Sequence, residues 1–91
     1  MEKRVRAEVS GRVQGVGFRM FIFQKAIRLG LVGQVGNLDN GNVAIDVQGS
    51  EELVTKLLEA AHSGPPAATV SDITVQPLPL DMAVRDFIIT A

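Results

Sequence analysis

The sequence predicts an α+β fold, a split β-α-β-β-α-β unit in which two helices cover one face of an antiparallel sheet and a short fifth strand closes the chain. Three observations predict it. Residues 5–9 and 43–47 alternate apolar and polar side chains, the period of a strand with one covered face. Two segments with helical spacing of apolar residues separate the strands. Asp39-Asn40-Gly41-Asn42 is a strong turn signal between two strand-like runs and marks a hairpin. Two helices suffice to cover only one face of such a sheet, which gives the ferredoxin-like arrangement.

In chain order, Val5, Ala7 and Val9 alternate with Arg4, Arg6, Glu8 and Ser10 in the first strand. Gly11, Gly15 and Gly17 break that alternation and predict a loop. Phe18 to Leu29 reads as a helix stopped by Gly30. On a helical wheel Met20, Ile22, Phe23, Ala26, Ile27 and Leu29 form one apolar arc, with Gln24, Lys25 and Arg28 opposite. Phe21 falls on the polar side of that wheel. Val32 to Leu38 is the second strand, and Val43, Ile45 and Val47 define the third. Ser50 suits a helix N-cap, and Glu51 and Glu52 suit the positive end of the helix dipole. Leu53, Val54, Leu57, Leu58 and Ala61 make the apolar face of this second helix, which Gly64-Pro65-Pro66 ends. Val70 to Gln76 is a fourth strand, irregular because Val70, Ile73 and Val75 do not keep one parity. Pro77 and Pro79 open a loop, and Phe87 and Ile89 mark the last strand.

Composition narrows the functional classes. The 91 residues, 46% of them hydrophobic, are enough for one modest core, and without repeats or linkers residues 1–91 read as one domain. Cysteine is absent, which removes disulfides, thiolate metal sites and a cysteine nucleophile. His62 is the only histidine, so little material exists for a zinc site and no metal ligands are assigned. A net charge of −1 argues against a nucleic-acid partner. No run approaches the roughly 20 apolar residues that span a membrane, and MEKRVRAEVS has no apolar signal core. The expectation is a small soluble cytoplasmic monomer.

The run Gly11 to Arg19, GRVQGVGFR, concentrates the chemistry. On the wheel Arg19 lies inside the apolar arc near Phe23 and Ala26, where a guanidinium is costly without an anion partner. In the first helical turn, its head can project over the preceding loop. Glycines let that loop approach a ligand closely, and the free N–H groups and dipole of a helix start favour an anion. Arginine adds a planar bidentate match to phosphate oxygens. The loop Gly11–Gly17 with Arg19 is therefore the candidate phosphate site, and Gln14, Gly15, Val16, Gly17, Phe18 and Arg19 are its candidate binding residues. Glycine spacing alone also fits a plain tight turn. No Gly-Lys-Ser/Thr follows, and Met20 stands where the dinucleotide fingerprint needs glycine, so nucleotide binding is not expected. Asn37, at the end of the second strand, shares parity with Val35 and Gly33 and should face the helix-covered side. Its amide offers a donor and an acceptor that can hold a water molecule, or simply cap the turn.

The run GRVQGVGFR, followed by Gly33-x-Val35-x-Asn37-Leu38-x-x-Gly41-x-Val43 and by Asp86-Phe87-Ile88-Ile89, resembles the acylphosphatase family over nearly the whole chain. The resemblance implies hydrolysis of the carboxyl–phosphate anhydride of a small-molecule acyl phosphate, with inorganic phosphate as product and inhibitor. It implies that Arg19 and the loop amides bind the phosphate and that Asn37 positions the attacking water. It further implies a five-stranded sheet with no metal or organic cofactor. A carboxylate leaving group departs without protonation, which suits a chain with no evident general acid.

Two positions depart from the family pattern. Gln34 stands where an aromatic residue is usual, and Gly36 where Lys or Arg is usual. Both should face the open side of the sheet, and Gly33 and Gly36 should loosen the strand that holds Asn37. Two rival functions remain. A single-stranded RNA reader needs sheet aromatics, and VRAEV and VAIDV carry none. A non-catalytic anion-binding module would share the loop and is separated from an enzyme by assay. His62 near the end of the second helix, and Arg4, Arg6 and Arg12, read as solvated residues.

Overall fold

A computed structural model describes residues 1–91. The elements are β1 (Glu2–Arg12), α1 (Phe18–Arg28), β2 (Val32–Asn37), β3 (Val43–Ser50), α2 (Glu51–Ser63), β4 (Thr69–Leu78) and β5 (Phe87–Ile89). They follow the expected order, in a sheet arranged β4-β1-β3-β2-β5. The four longer strands are antiparallel as expected. The fifth is a correction: β5 runs parallel to β2, so the sheet is mixed. The reason is the long return from β4, which crosses the sheet and enters at its far edge.

Alternation decides which face is buried. Val5, Ala7 and Val9 of β1, Val35 of β2, and Val43, Ile45 and Val47 of β3 are each at most 1% exposed. The helices cover that face, α1 over β2 and β5 and α2 over β1, β3 and β4. Val54, Leu57 and Ala61 are the buried stripe of α2, flanked by half-buried Leu53 and Leu58. On α1 the wheel is off-centre. The buried stripe is Phe18, Ile22 and Ala26, while Met20 and Ile27 are exposed. Phe21 packs at the margin of the core, its ring 6.5 Å from that of Phe18, with the Lys25 ammonium 5.9 Å above it. Apolar residues occur almost all around this helix, so the neighbouring elements rather than periodicity fix its buried side.

Other departures are local. Ser50 occupies the N-cap of α2 but its side chain makes no capping bond; the Glu51 N–H donates to the Met1 main-chain oxygen instead, at 2.9 Å. Pro77 lies inside β4 opposite Val5 rather than in a loop. Proline is tolerated there because β4 is an edge strand. The expected irregularity of β4 is a bulge: Ser10 pairs with Asp72 but Gly11 pairs with Val70, leaving Ser71 extra.

Phe18, only 1% exposed, lies where the candidate loop becomes α1. Phe18→Ala should cost about 3–5 kcal/mol, the range for truncating a buried phenylalanine. Urea denaturation at neutral pH checks this.

Candidate active site

The sheet sets the separation of the two predicted site segments. Val43 of β3 pairs with Val9 of β1 on one side and with Asn37 of β2 on the other. β1 and β2 therefore run in the same direction and end at the same edge. At about 4.8 Å per strand, Asn37 lies roughly 10 Å across the sheet from Val9. The loop after β1 starts beyond that level and α1 begins at the same edge, so loop, helix start and strand end share one corner. Because Asn37 pairs with buried Val43, its side chain shares the helix-covered side, as the parity predicts.

The loop is held open. Gly15 and Gly17 have φ of 74° and 82°, a left-handed backbone that side-chain-bearing residues rarely adopt. A Cβ at either would meet no atom within 4 Å, so conformation rather than crowding requires glycine. Gly17 is the N-cap of α1, and its carbonyl accepts from the Phe21 N–H at 3.0 Å. No backbone hydrogen bond engages the N–H groups of Gln14, Gly15, Val16 or Gly17. Those of Phe18, Arg19 and Met20 have no intrahelical acceptor, as in the first turn of any helix. A run of unpaired donors thus sits on the positive end of the α1 dipole, a combination that favours an anion. The side chains of Phe18 and Val16 belong to the core and its margin, which leaves only their main chain to the loop.

Arg19 is half-buried at the edge of the apolar stripe rather than within it. Its Nη1 donates to the Ala91 main-chain oxygen at 2.9 Å. The Asn37 N–H donates to the same oxygen at 3.1 Å. Arg19 and the end of β2 are therefore brought together on one atom, by a terminal segment that continues along β2 through a Thr90 N–H bond to the Val35 carbonyl of 2.8 Å. The Asn37 Oδ1 is buried and has no hydrogen-bond partner. Arg19 lines a cleft of about 240 Å³ with Val13, Gly15, Gly17, Phe18, Met20 and Ile89. A separate hollow of about 190 Å³ that Asn37 also borders lies on the open face of the sheet, with Arg6, Gln34, Gly36, Leu38, Ala44, Asp46 and Thr90.

Two contacts that the sequence does not reveal fix the turn after Asn37. The Gln14 Nε2 donates to the carbonyls of Leu38 at 2.8 Å and Asn42 at 2.9 Å, so the side chain of this loop residue clamps the hairpin. From the open face, the Glu8 carboxylate accepts from the Asn42 amide at 2.6 Å and the Asn40 amide at 3.2 Å. These amides, helped by the Arg6 guanidinium 3.5 Å away, hold the Glu8 carboxyl below the usual carboxylate range. Gln14 stands out in the sequence only for its place in the loop, and Glu8 only as a polar residue alternating with the apolar ones of the first strand; both contacts join residues far apart in sequence.

Gln34 is exposed on the open face as expected. Gly36 is buried, and a Cβ there would run into the Thr90 hydroxyl, so this glycine admits the terminal segment against β2 instead of loosening the strand. His62 is exposed on α2. No helix is long and apolar enough to cross a membrane.

The comparisons with known proteins fall on this same chain length. The family model described as Acylphosphatase matches residues 5–89. The chain is 44% identical over 88 residues to a protein of Shewanella amazonensis named acylphosphatase, covering 97% of each chain. It is 52% identical over 75 residues to one of that name from Caldivirga maquilingensis, covering 81% of this chain and 79% of the relative. The crystal structure of acylphosphatase from Bacillus subtilis superposes with a TM-score of 0.93 at 37% identity, over the whole of both chains.

Because the folded-state pKa of Glu8 is depressed, its contribution to stability is present above the unfolded-chain pKa and is lost as pH falls through the lower folded value. Acidification should therefore release the Asn40 and Asn42 side-chain amides together, with lower exchange protection factors in residues 38–42 once the intrinsic pH dependence of amide exchange is divided out. Gln14→Met should raise exchange in the same turn at neutral pH. NMR exchange measurements against pH check both; a turn unaffected by either change contradicts the clamp.

Proposed function

This chain belongs to the acylphosphatase family and is a hydrolase acting on acid anhydrides, and from that premise we propose how its residues divide the work on a small-molecule acyl phosphate. The loop Gln14–Arg19 receives the phosphate on its main-chain N–H groups, with Arg19 clamping the phosphate oxygens. Asn37 holds the attacking water through its side-chain amide. The single observation that carries this reading is the unpaired run of N–H donors at residues 14–17, seated on a helix start beside an arginine that shares the Ala91 oxygen with Asn37.

The steps balance with these groups alone. The water oxygen forms a bond to phosphorus as the bond between phosphorus and the acyl oxygen breaks. That electron pair leaves on the carboxylate, which needs no proton at neutral pH. The water proton passes to a phosphate oxygen, giving carboxylate and dihydrogen phosphate. Such transfers depend mainly on positioning and on stabilising charge across the phosphoryl oxygens. Preorganised N–H donors and a fixed guanidinium supply that stabilisation without reorganising during the reaction. The Ala91 oxygen, by holding Arg19 Nη1, orients the guanidinium and leaves its other donors for the phosphate. The Asn37 side-chain amide supplies the donor and the acceptor proposed to hold the water.

The expected outcome is hydrolysis of benzoyl phosphate in the presence of EDTA, inhibited competitively by inorganic phosphate. Arg19→Ala should lose phosphate binding and about 10³-fold or more in kcat/KM, as for arginines that stabilise phosphoryl transfer. Asn37→Ala should lose about 10²–10³-fold in kcat, the scale of one preorganised group, with phosphate still bound. Steady-state kinetics with phosphate as inhibitor separates the two. A folded protein that binds phosphate without accelerating hydrolysis would instead be the non-catalytic anion module.

A further inference from the structure

The cleft beside Arg19 extends past the phosphate loop onto an apolar surface that the anhydride chemistry does not use. Phe23 of α1 and Phe87 of β5 fix these elements together, their ring centroids 6.4 Å apart. β5 runs parallel to β2 and so ends at the site corner, where α1 begins. One turn back along α1 from Phe23 is Met20. Two residues on along β5 from Phe87, on the same side of the sheet, is Ile89. Both are large apolar side chains left in water, Met20 at 49% and Ile89 at 36% exposure. Exposed apolar residues scattered singly need no explanation. These two, however, line the same cleft as Gly15, Gly17 and Arg19.

We propose that Met20 and Ile89 form the acyl subsite, packing against the organic part of an acyl phosphate whose phosphate lies on the loop and Arg19. This rests on the hydrolase reading above and names its substrate class: acyl phosphates with a compact apolar acyl group. Burial of apolar area against these side chains favours such a group. A second anionic group on the acyl chain gains nothing there, because Arg19 is the only charged residue lining the cleft and the first phosphate engages it. At about 240 Å³ the cleft is also smaller than the roughly 300–1,000 Å³ that drug-sized ligands occupy, which fits a phosphate with a short acyl or aryl group.

The test measures binding of phenylphosphonate and methylphosphonate by calorimetry, and kcat/KM for benzoyl and acetyl phosphate, in the wild-type chain and in Met20→Ser/Ile89→Ser. The wild type should prefer the phenyl and benzoyl compounds by about tenfold, and the double variant should reduce both preferences to about twofold, on the scale of small apolar contacts in a binding site. Circular dichroism establishes that the variant is folded; if it is not, the single variant Met20→Gln replaces it, with both preferences expected to fall at least halfway on a logarithmic scale. A wild-type protein without preference, or a preference that survives in the folded variant, overturns the subsite. Phosphonate discrimination that the variant abolishes, without turnover of either acyl phosphate, supports the subsite and overturns the hydrolase reading. Turnover without discrimination overturns the subsite alone.

Discussion

The position of β3 between β1 and β2 is the constraint on which the rest depends. Val43 pairs with Val9 and with Asn37, so one residue sets the level of both flanking strands. Two antiparallel pairings in succession make β1 and β2 point the same way. The loop that follows β1 and the last residue of β2 then have to meet at one edge. The helices on the covered face follow from the same arrangement, since α1 must leave that edge to return the chain from β1 to the start of β2. A one-residue slip of β2 against β3 would turn Asn37 to the open face, and one of β3 against β1 would expose the Val43 side of β3.

At this corner, local backbone chemistry and long-range contacts have separate tasks. Gly15 and Gly17 give the loop a conformation that leaves its N–H groups unpaired, and α1 adds the positive end of its dipole. Long-range contacts then fix what the loop faces. Gln14 reaches across to the carbonyls of Leu38 and Asn42, Glu8 grips the turn from the other side, and Ala91 joins Arg19 to the end of β2. Unpaired donors are tolerable here because Gly15 and Gly17 are exposed, whereas the same run inside the core would carry a desolvation cost for each N–H.

Much of this was legible in the sequence, for physical reasons that differ by element. Period-two alternation located β1 and β3 because one face of each is fully buried. The Asp39–Asn42 turn located the hairpin because Gly41 adopts the positive φ, 91°, that such a turn favours. Glycine positions and a helix start marked the loop, since these are local properties. Parity placed Asn37 on the correct face. The direction of β5 was not legible, because a three-residue strand carries no signal for its partner. The buried side of α1 was misjudged because Phe18, Phe21, Ile22 and Phe23 leave periodicity little contrast. The clamping contacts of Gln14 and Glu8 were hidden for a third reason: they join residues between 24 and 34 positions apart.

The central claim is that a water held by Asn37 attacks phosphorus while Arg19 and the loop hold the phosphate. Hydrolysis of benzoyl phosphate in ¹⁸O-labelled water, with mass spectrometry of both products from a single turnover, tests it most directly. The account predicts one labelled oxygen in the inorganic phosphate and none in the benzoate. Label in the benzoate would mean attack at the carbonyl carbon, and would contradict the assignment of the loop, Arg19 and Asn37 to phosphoryl transfer.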